Sequence, residues 1–410
     1  MSSMGREAMT LLDQAATFSE PGPGVTRVLG SAEHQALLVE MRQWFESAGA
    51  EVSLDGAGNL VGRWAGTDPS ARTLIIGSHQ DTVRQGGRYD GIMGVLLPLV
   101  VLQQRQAEGR PLPYPVELVA FSDEEGTRFS STLVGSAALA GTFDPTLLQA
   151  TDADGVTMEQ ALRDLGADPA IIPAAARDPQ QVSGFLELHI EQGPLLEAEN
   201  LPVGIVTAIT GIERHDLRII GKAGHAGTTP MHLRRDALVG ASEVVQLLDQ
   251  LCRDTDELVG VVGQLKVIPD AVNVIPGAVE MSLELRSPQT RIRRRARDIL
   301  LQQIEQALKA RHLDWEHRLN YEQTEVSCSP RIQSTLAAAI QDQGLETRYL
   351  FSGAGHDGLA MESLTDIGML FMRCEDGLSH HPDEAVTIDD LDVTAQTLDR
   401  FLDHWAEANQ

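Results

Sequence analysis

Residues 116–125 read VELVAFSDEE, an apolar run of six residues that ends on Asp123, Glu124 and Glu125. Such a run predicts a strand buried on both faces, with an acidic turn after it. Carboxylates at the end of a buried strand crowd the edge of a core. Burial penalises their charge unless a partner offsets it, and a cation is one such partner. The same pattern recurs along the chain. Residues 73–76 (TLII) predict a strand followed by His79 and Asp81. Residues 185–190 (FLELHI) predict another that ends on His189 and Glu191, and a fourth at 369–373 is followed by His380 and His381.

Working outward, further strands are expected at 59–64 and 347–351. Residues 32–48 place Leu37, Leu38, Met41, Trp44 and Phe45 at helical spacing, and 91–106 reads as a second helix. Alternating strands and helices predict an α/β sheet with both faces covered, whose carboxyl strand ends converge on one ligand-binding edge. Residues 207–321 differ. Strand-like stretches at 216–220, 260–267, 278–286 and near Arg318 interleave with helical patterns at 234–251 and 288–310. That order predicts a small α+β sandwich with an antiparallel sheet. The arginine run at 291–297 (RIRRRAR) is expected to form a solvated face, with Ile292, Ala296, Ile299 and Leu300 as the apolar stripe. The chain is therefore expected to fold as a discontinuous outer domain, 1–206 and 326–410, with 207–325 inserted.

The chain has 410 residues, 42% of them hydrophobic, with 32 basic and 59 acidic side chains and a formal net charge of −27. That length suggests two or three domains of ~100–200 residues each. The charge argues against binding a phosphate backbone or an anionic lipid surface. Solubility explains most of it, and part of the acid is a candidate for a cation site. Cys252, Cys328 and Cys374 form no CxxC pair and no disulfide framework. Residues 1–24 lack the apolar core of a secretory signal, and no run reaches the ~18 apolar residues of a membrane span. The expected location is the cytoplasm.

Imidazole and carboxylate suit zinc and similar divalent ions. His79, Asp90, Glu125, His189 and His380 could hold two ions, one carboxylate bridging them at the ~3.5–4 Å of two-metal hydrolases. A rival is the GxGxxG spelled by Gly353, Gly355 and Gly358, with Glu375 and Asp376 about twenty residues on, in outline a dinucleotide-binding turn. Its lateness in the chain, and His356 and Asp357 where a pyrophosphate would approach, weigh against it.

Eight stretches carry a resemblance. They are 77–83 (GSHQDTV), 86–94 (GGRYDGIMG), 122–129 (SDEEGTRF), 186–194 (LELHIEQGP), 224–231 (GHAGTTPM), 273–277 (NVIPG), 352–357 (SGAGHD) and 377–382 (GLSHHP). In this order they resemble the amidase branch of the aminoacylase and carboxypeptidase metallohydrolases. That branch holds N-carbamoyl-L-amino acid hydrolases, allantoate amidohydrolases and β-ureidopropionases. The resemblance implies a zinc-peptidase-like catalytic domain with an inserted dimerisation domain, two divalent ions (zinc, manganese or cobalt) and a homodimer. It implies His79, Asp90, Glu125, His189 and His380 as ligands, with Asp90 bridging, and His380 rather than His381 because the pattern is Ser-His-x-Pro. Glu124 matches the general base, and Asp81 is expected to orient the His79 ring. His225 matches a histidine supplied across the dimer interface to the tetrahedral oxygen. Asn273, Arg286, Gln192, Gly353 and Gly355 match substrate contacts, Arg286 gripping a free carboxylate. The implied reaction is hydrolysis of a carbamoyl or ureido C–N bond in a small carboxylate-bearing substrate. An N-carbamoyl-L-amino acid is the first expectation, allantoate and β-ureidopropionate are the alternatives, and a dipeptidase or aminoacylase is more distant.

Overall fold

The computed structural model describes residues 3–408. Four strands form the centre of its larger sheet: Val116–Phe121, Thr73–His79, Val182–Ile190 and Ile367–Met372, in that spatial order and all parallel. Every residue in them is buried, so both faces of the sheet are covered, as a parallel sheet requires. Leu60–Trp64 and then Glu51–Leu54 continue the sheet antiparallel at one side, and Val203–Ile209 does so at the other. The sheet is mixed, and helices flank it. Met93–Ala107 packs on three of the central strands, while Pro330–Gln341 and Ile388–Ala408 pack on Ile367–Met372. The expected α/β architecture is the one the chain adopts.

Parallel strands send their carboxyl ends to the same edge. That edge receives His79, the acidic turn after Phe121, His189 and the loop after Met372. The strand expected at 73–76 is longer, because Gly77, Ser78 and His79 keep pairing with Val119, Ala120 and Phe121. His79 is thus the last residue of a strand and inherits its rigidity. Glu51–Leu54 was not foreseen. It is a half-exposed edge strand whose pairing depends on Leu60–Trp64 and not on its own pattern.

The chain divides into two compact units, residues 1–207 with 328–410, and Ala208–Ser327. The second has its own core, built from Leu217, Ile219, Val279, Leu283, Leu300 and Ile304. Its antiparallel sheet runs Leu265–Ile268, Ala278–Ser287, Gly211–Ile220, Asp314–Gln323. Helices Ala237–Arg253 and Thr290–Ala310 pack on each other and on this sheet. The single strand expected at 260–267 is two, Val259–Val261 and Leu265–Ile268. They are interrupted before Leu265, where the Gln264 amide donates to the Ser282 hydroxyl while the Ser282 amide donates to the Gln264 carbonyl.

The arginine run corrects an expectation. It is not a uniformly solvated face. Arg293 is fully buried and occupies the core stripe with Ala296, Leu300, Ile304 and Leu308. Its guanidinium Nε lies 3.2 Å from Glu213 Oε1, itself fully buried, and Nη2 lies 3.4 Å from Glu322. Glu325 accepts hydrogen bonds from the amide and hydroxyl of Thr290, so it closes the first turn of the same helix. A Cβ at Gly211 would sit 2.0 Å from Arg293 Nη1, which explains the glycine. Removing Arg293 leaves the fully buried Glu213 carboxylate with only Arg297 at 3.4 Å and His215 at 3.2 Å, a poorer match for a buried charge. Arg293→Ala should therefore cost about 3–5 kcal/mol in urea unfolding, whereas its exposed neighbour Arg294→Ala should leave the unfolding midpoint nearly unchanged.

Candidate metal centre

Asp90 lies on the turn between strand Thr73–His79 and helix Met93–Ala107, and it is 5% exposed. Its two oxygens face different partners. Oδ1 is 3.1 Å from His189 Nε2 and 3.7 Å from His79 Nε2. Oδ2 is 3.1 Å from His380 Nε2, which is also 3.3 Å from Glu125 Oε1. Main-chain carbonyls orient two of these rings. His79 Nδ1 bonds to the Asp81 carbonyl at 3.0 Å, and His189 Nδ1 bonds to the Ile190 carbonyl at 2.9 Å. Each Nδ1 therefore carries the proton, which turns the lone pair of Nε2 toward the cluster. His380, not His381, enters it; His381 Nδ1 lies 3.8 Å from Asp383 instead.

The backbone around the cluster is held in unusual conformations. Asp123, Gln192 and His380 have φ of +51°, +57° and +56°, the left-handed region that few non-glycine residues occupy. Gly91 (φ +67°) is required sterically, since a Cβ there would lie 2.3 Å from His79 Cε1.

The charge arrangement has a surplus of buried acid. Burial first, then the charges of Asp357 and Glu125, push the Glu124 carboxyl well above its ordinary range. Burial and Asp81 do the same to Asp123, and burial and Glu187 to Asp357. Burial alone would raise Asp90, but its bonds to His189 and His380 outweigh that and hold it well below the usual range. The bonds to Asp90 and Glu125 lift His380 to about 10. For His189, burial acts downward, and Asp90 overrides it to reach about 9.

These residues fit divalent cations. His79, Asp90 and His189 bring donor atoms within 4.8 Å of one another, as do His79, Glu124 and Glu125, and as do Asp90, Glu125 and His380. Two ligands at ~2.0–2.1 Å from one tetrahedral ion are ~3.3 Å apart, close to the observed spacing of Asp90 Oδ1 and His189 Nε2. His189 is buried, and its Nε2 faces Asp90 Oδ1 at 3.1 Å. A cation bound there would take the place of the protons that the histidines otherwise hold, and would offset the surplus acid.

Several readings from sequence change. The Asp81 carboxylate does not orient His79; its main-chain carbonyl does. The carboxylate accepts the amides of Glu124 (3.0 Å) and Glu125 (3.2 Å) instead. Gln192 Nε2 donates to both oxygens of Asp90 and to Ser379 Oγ, so it braces the cluster as well as lining it. Gly355 faces Glu124, with Oε1 3.9 Å from where its Cβ would be, and a Cβ at Gly353 would have nothing within 4 Å. The dinucleotide outline fails. The helix after it, Gly358–Met361, has four residues, and the Gly358 amide donates to the buried Glu187 carboxylate, which would repel a phosphate.

His225, Asn273 and Arg286 belong to the second unit. His225 and Asn273 come together there: Gly224–His225 pairs with Val274–Ile275, and the Ala226 amide donates to the Asn273 carbonyl. His225 Nδ1 accepts from the Gly227 amide at 3.1 Å, so the neutral ring carries its proton on Nε2. The Arg286 guanidinium is held by Glu284 Oε1 at 2.6 Å.

Four residues near the centre escaped the sequence reading: Ser78, Glu187, Ser379 and Glu384. Ser78 donates to Glu187, and Ser379 donates to Asp90 Oδ2 at 3.1 Å. Ser78 and Ser379 carried a signal by standing beside His79 and His380, and Glu187 by lying two residues before His189.

Residues 75–404 match the model of peptidase family M20/M25/M40. The chain is 39% identical over 388 residues to an N-carbamoyl-L-amino acid amidohydrolase of Geobacillus stearothermophilus, covering 95% of each. It is 36% identical to an allantoate deiminase of Arabidopsis thaliana, covering 97% of this chain and 82% of that one. Among solved structures, it is similar to a hydantoinase/carbamoylase family amidase from Burkholderia multivorans, with a TM-score of 0.92, 32% identity and 97% of both chains covered.

Gly91→Ala forces the His79 ring out of line. It should reduce the manganese or zinc retained after dialysis at least tenfold, measured by elemental analysis, because a misplaced ligand or ligand support costs ~10–100-fold in affinity.

Proposed function

Because this chain belongs to peptidase family M20/M25/M40, and its relatives act on C–N bonds other than peptide bonds, we propose that it is an N-carbamoyl-L-amino acid hydrolase using two divalent cations. The observation that supports this best is Asp90, with two histidines on one oxygen and His380 on the other. A carboxylate so placed can serve two ions at once. His79, Asp90, Glu125, His189 and His380 would hold them. Bound cations supply Lewis acidity toward the carbamoyl carbonyl and lower the pKa of water.

The remaining work falls to the chain's own side chains. Glu124 accepts a proton from the attacking water and returns it to the departing nitrogen. Its amide is tied to Asp81 Oδ1, which keeps the carboxylate beside the donors and not in solvent. Burial first, then its acidic neighbours, raise its proton affinity, which suits a group that must take up a proton and give it back. His225 donates from Nε2 to the oxygen on which negative charge develops, and Asn273 stands beside it. Arg286 binds the substrate carboxylate in competition with Glu284. His225 acts from a partner subunit in a homodimer. Water adds to the carbamoyl carbon and ammonia leaves, and the carbamate then breaks down to carbon dioxide and the amino acid. Among the described residues no helix is long and apolar enough to cross a membrane.

Allantoate is the second candidate substrate, on the strength of the Arabidopsis relative. Ammonia release from the metal-loaded protein on N-carbamoyl-L-amino acids, allantoate and β-ureidopropionate decides among them. Turnover on none of the three rejects the reading. Glu124→Gln should lower kcat by about 10²–10⁴-fold with metal content unchanged, and near-normal turnover would remove the base assignment. Arg286→Ala should raise KM for carboxylate substrates about 10–100-fold, the worth of one charge-assisted hydrogen-bonding pair, and leave amide analogues nearly unaffected.

A further inference from the structure

We propose that Glu384 is a positioning residue that locks the turn carrying Asp90 to the loop carrying His380, so that both halves of the cation site form together. This rests on the reading of Asp90 as the carboxylate shared by two cations.

Glu384 is 3% exposed and lies four residues beyond His380. Its Oε1 accepts two main-chain hydrogen bonds, from the Tyr89 amide at 2.8 Å and the Asp90 amide at 3.1 Å. The loop that brings Glu384 also brings Ser379 and His380 to Asp90 Oδ2. Asp90 is thus held at both ends by one loop, at its side chain by residues 379 and 380 and at its backbone by residue 384. The amides of Tyr89 and Asp90 sit in a buried turn, and without Glu384 they would have no partner within that loop. An unpaired buried amide costs enough to reshape the turn. The chain also makes room for this carboxyl. Gly87 has no side chain where a Cβ would fall 2.0 Å from the Glu384 carboxyl carbon. The loop is itself anchored, because the Glu384 amide donates to the His381 carbonyl at 3.1 Å and the Glu375 amide donates to the Ala385 carbonyl at 2.9 Å. Buried as it is, Glu384 acts through Asp90 and His380.

Three variants test this in the full-length protein: Glu384→Ala, Glu384→Gln and Gly87→Ala. The Ala variant removes the acceptor. The Gln variant keeps an oxygen for both amides, and Gly87→Ala displaces the carboxyl without altering it. Manganese titrated calorimetrically into metal-free protein reads the number of sites and their affinities, while circular dichroism and thermal melting of the metal-free protein read folding. We expect Glu384→Ala and Gly87→Ala to lose about 10–100-fold in manganese affinity, and Glu384→Gln to stay within about threefold of the parent, since it still pairs both amides. Should Glu384→Ala not fold, Gly87→Ala and Glu384→Gln decide. Parent-like manganese affinity in Gly87→Ala or Glu384→Ala, or equal loss in Glu384→Gln and Glu384→Ala, would overturn the proposal. A parent protein that binds only one manganese ion would instead reject the two-cation reading, and the variants would still report whether Glu384 shapes the remaining site.

Discussion

Asp90 sets the terms for the rest of the catalytic unit. A carboxylate that is 5% exposed is tolerable only if both its oxygens are satisfied, and here each faces histidine. Supplying those histidines requires three chain segments far apart in sequence to end at one place. The parallel order of Val116–Phe121, Thr73–His79, Val182–Ile190 and Ile367–Met372 does this, because strands running the same way deliver their carboxyl ends to one edge. The same convergence buries Glu124, Asp123 and Asp357, and burial, with repulsion from Asp357, Asp81 and Glu187 respectively, drives all three upward in pKa. A site with this much buried acid and this many imidazoles is matched to a cation.

Other buried acids serve the backbone and not the ion. Asp81 holds the amides of Glu124 and Glu125. Glu187 ties Ser78 to Gly358. Glu384 grips Tyr89 and Asp90. Each turns a turn or strand end into a rigid mount for the candidate ligand beside it, as ligand geometry on loops requires. The net charge of −27 therefore has a structural share besides its solubility and ligand shares, although the buried acids are few among 59.

The second unit solves a different electrostatic problem. Its buried pair of Arg293 and Glu213 sits where strand Gly211–Ile220 begins and where Asp314–Gln323 ends. A run of arginines on a helix reads as solvent-facing because four of its five members are at least partly exposed. One member took the core stripe because acids on two neighbouring strands were waiting for it, and no local pattern records that.

By itself the sequence determined the alternation of strand and helix, the inserted α+β segment, and the placing of His79, Glu124, Glu125 and His189 at strand ends. These follow from hydrophobic period and turn residues, which are local properties. The motifs also singled out His380 over His381 through the resemblance they carry. Only the tertiary structure decided which nitrogen faces which oxygen. It showed that the Asp81 carbonyl and not its carboxylate orients His79, that Arg293 is buried, and that Glu384 holds Asp90 from 294 residues away. Hydrogen-bond partners at such separations are chosen by how the sheet stacks its strands, and nothing within one strand or one turn encodes that choice.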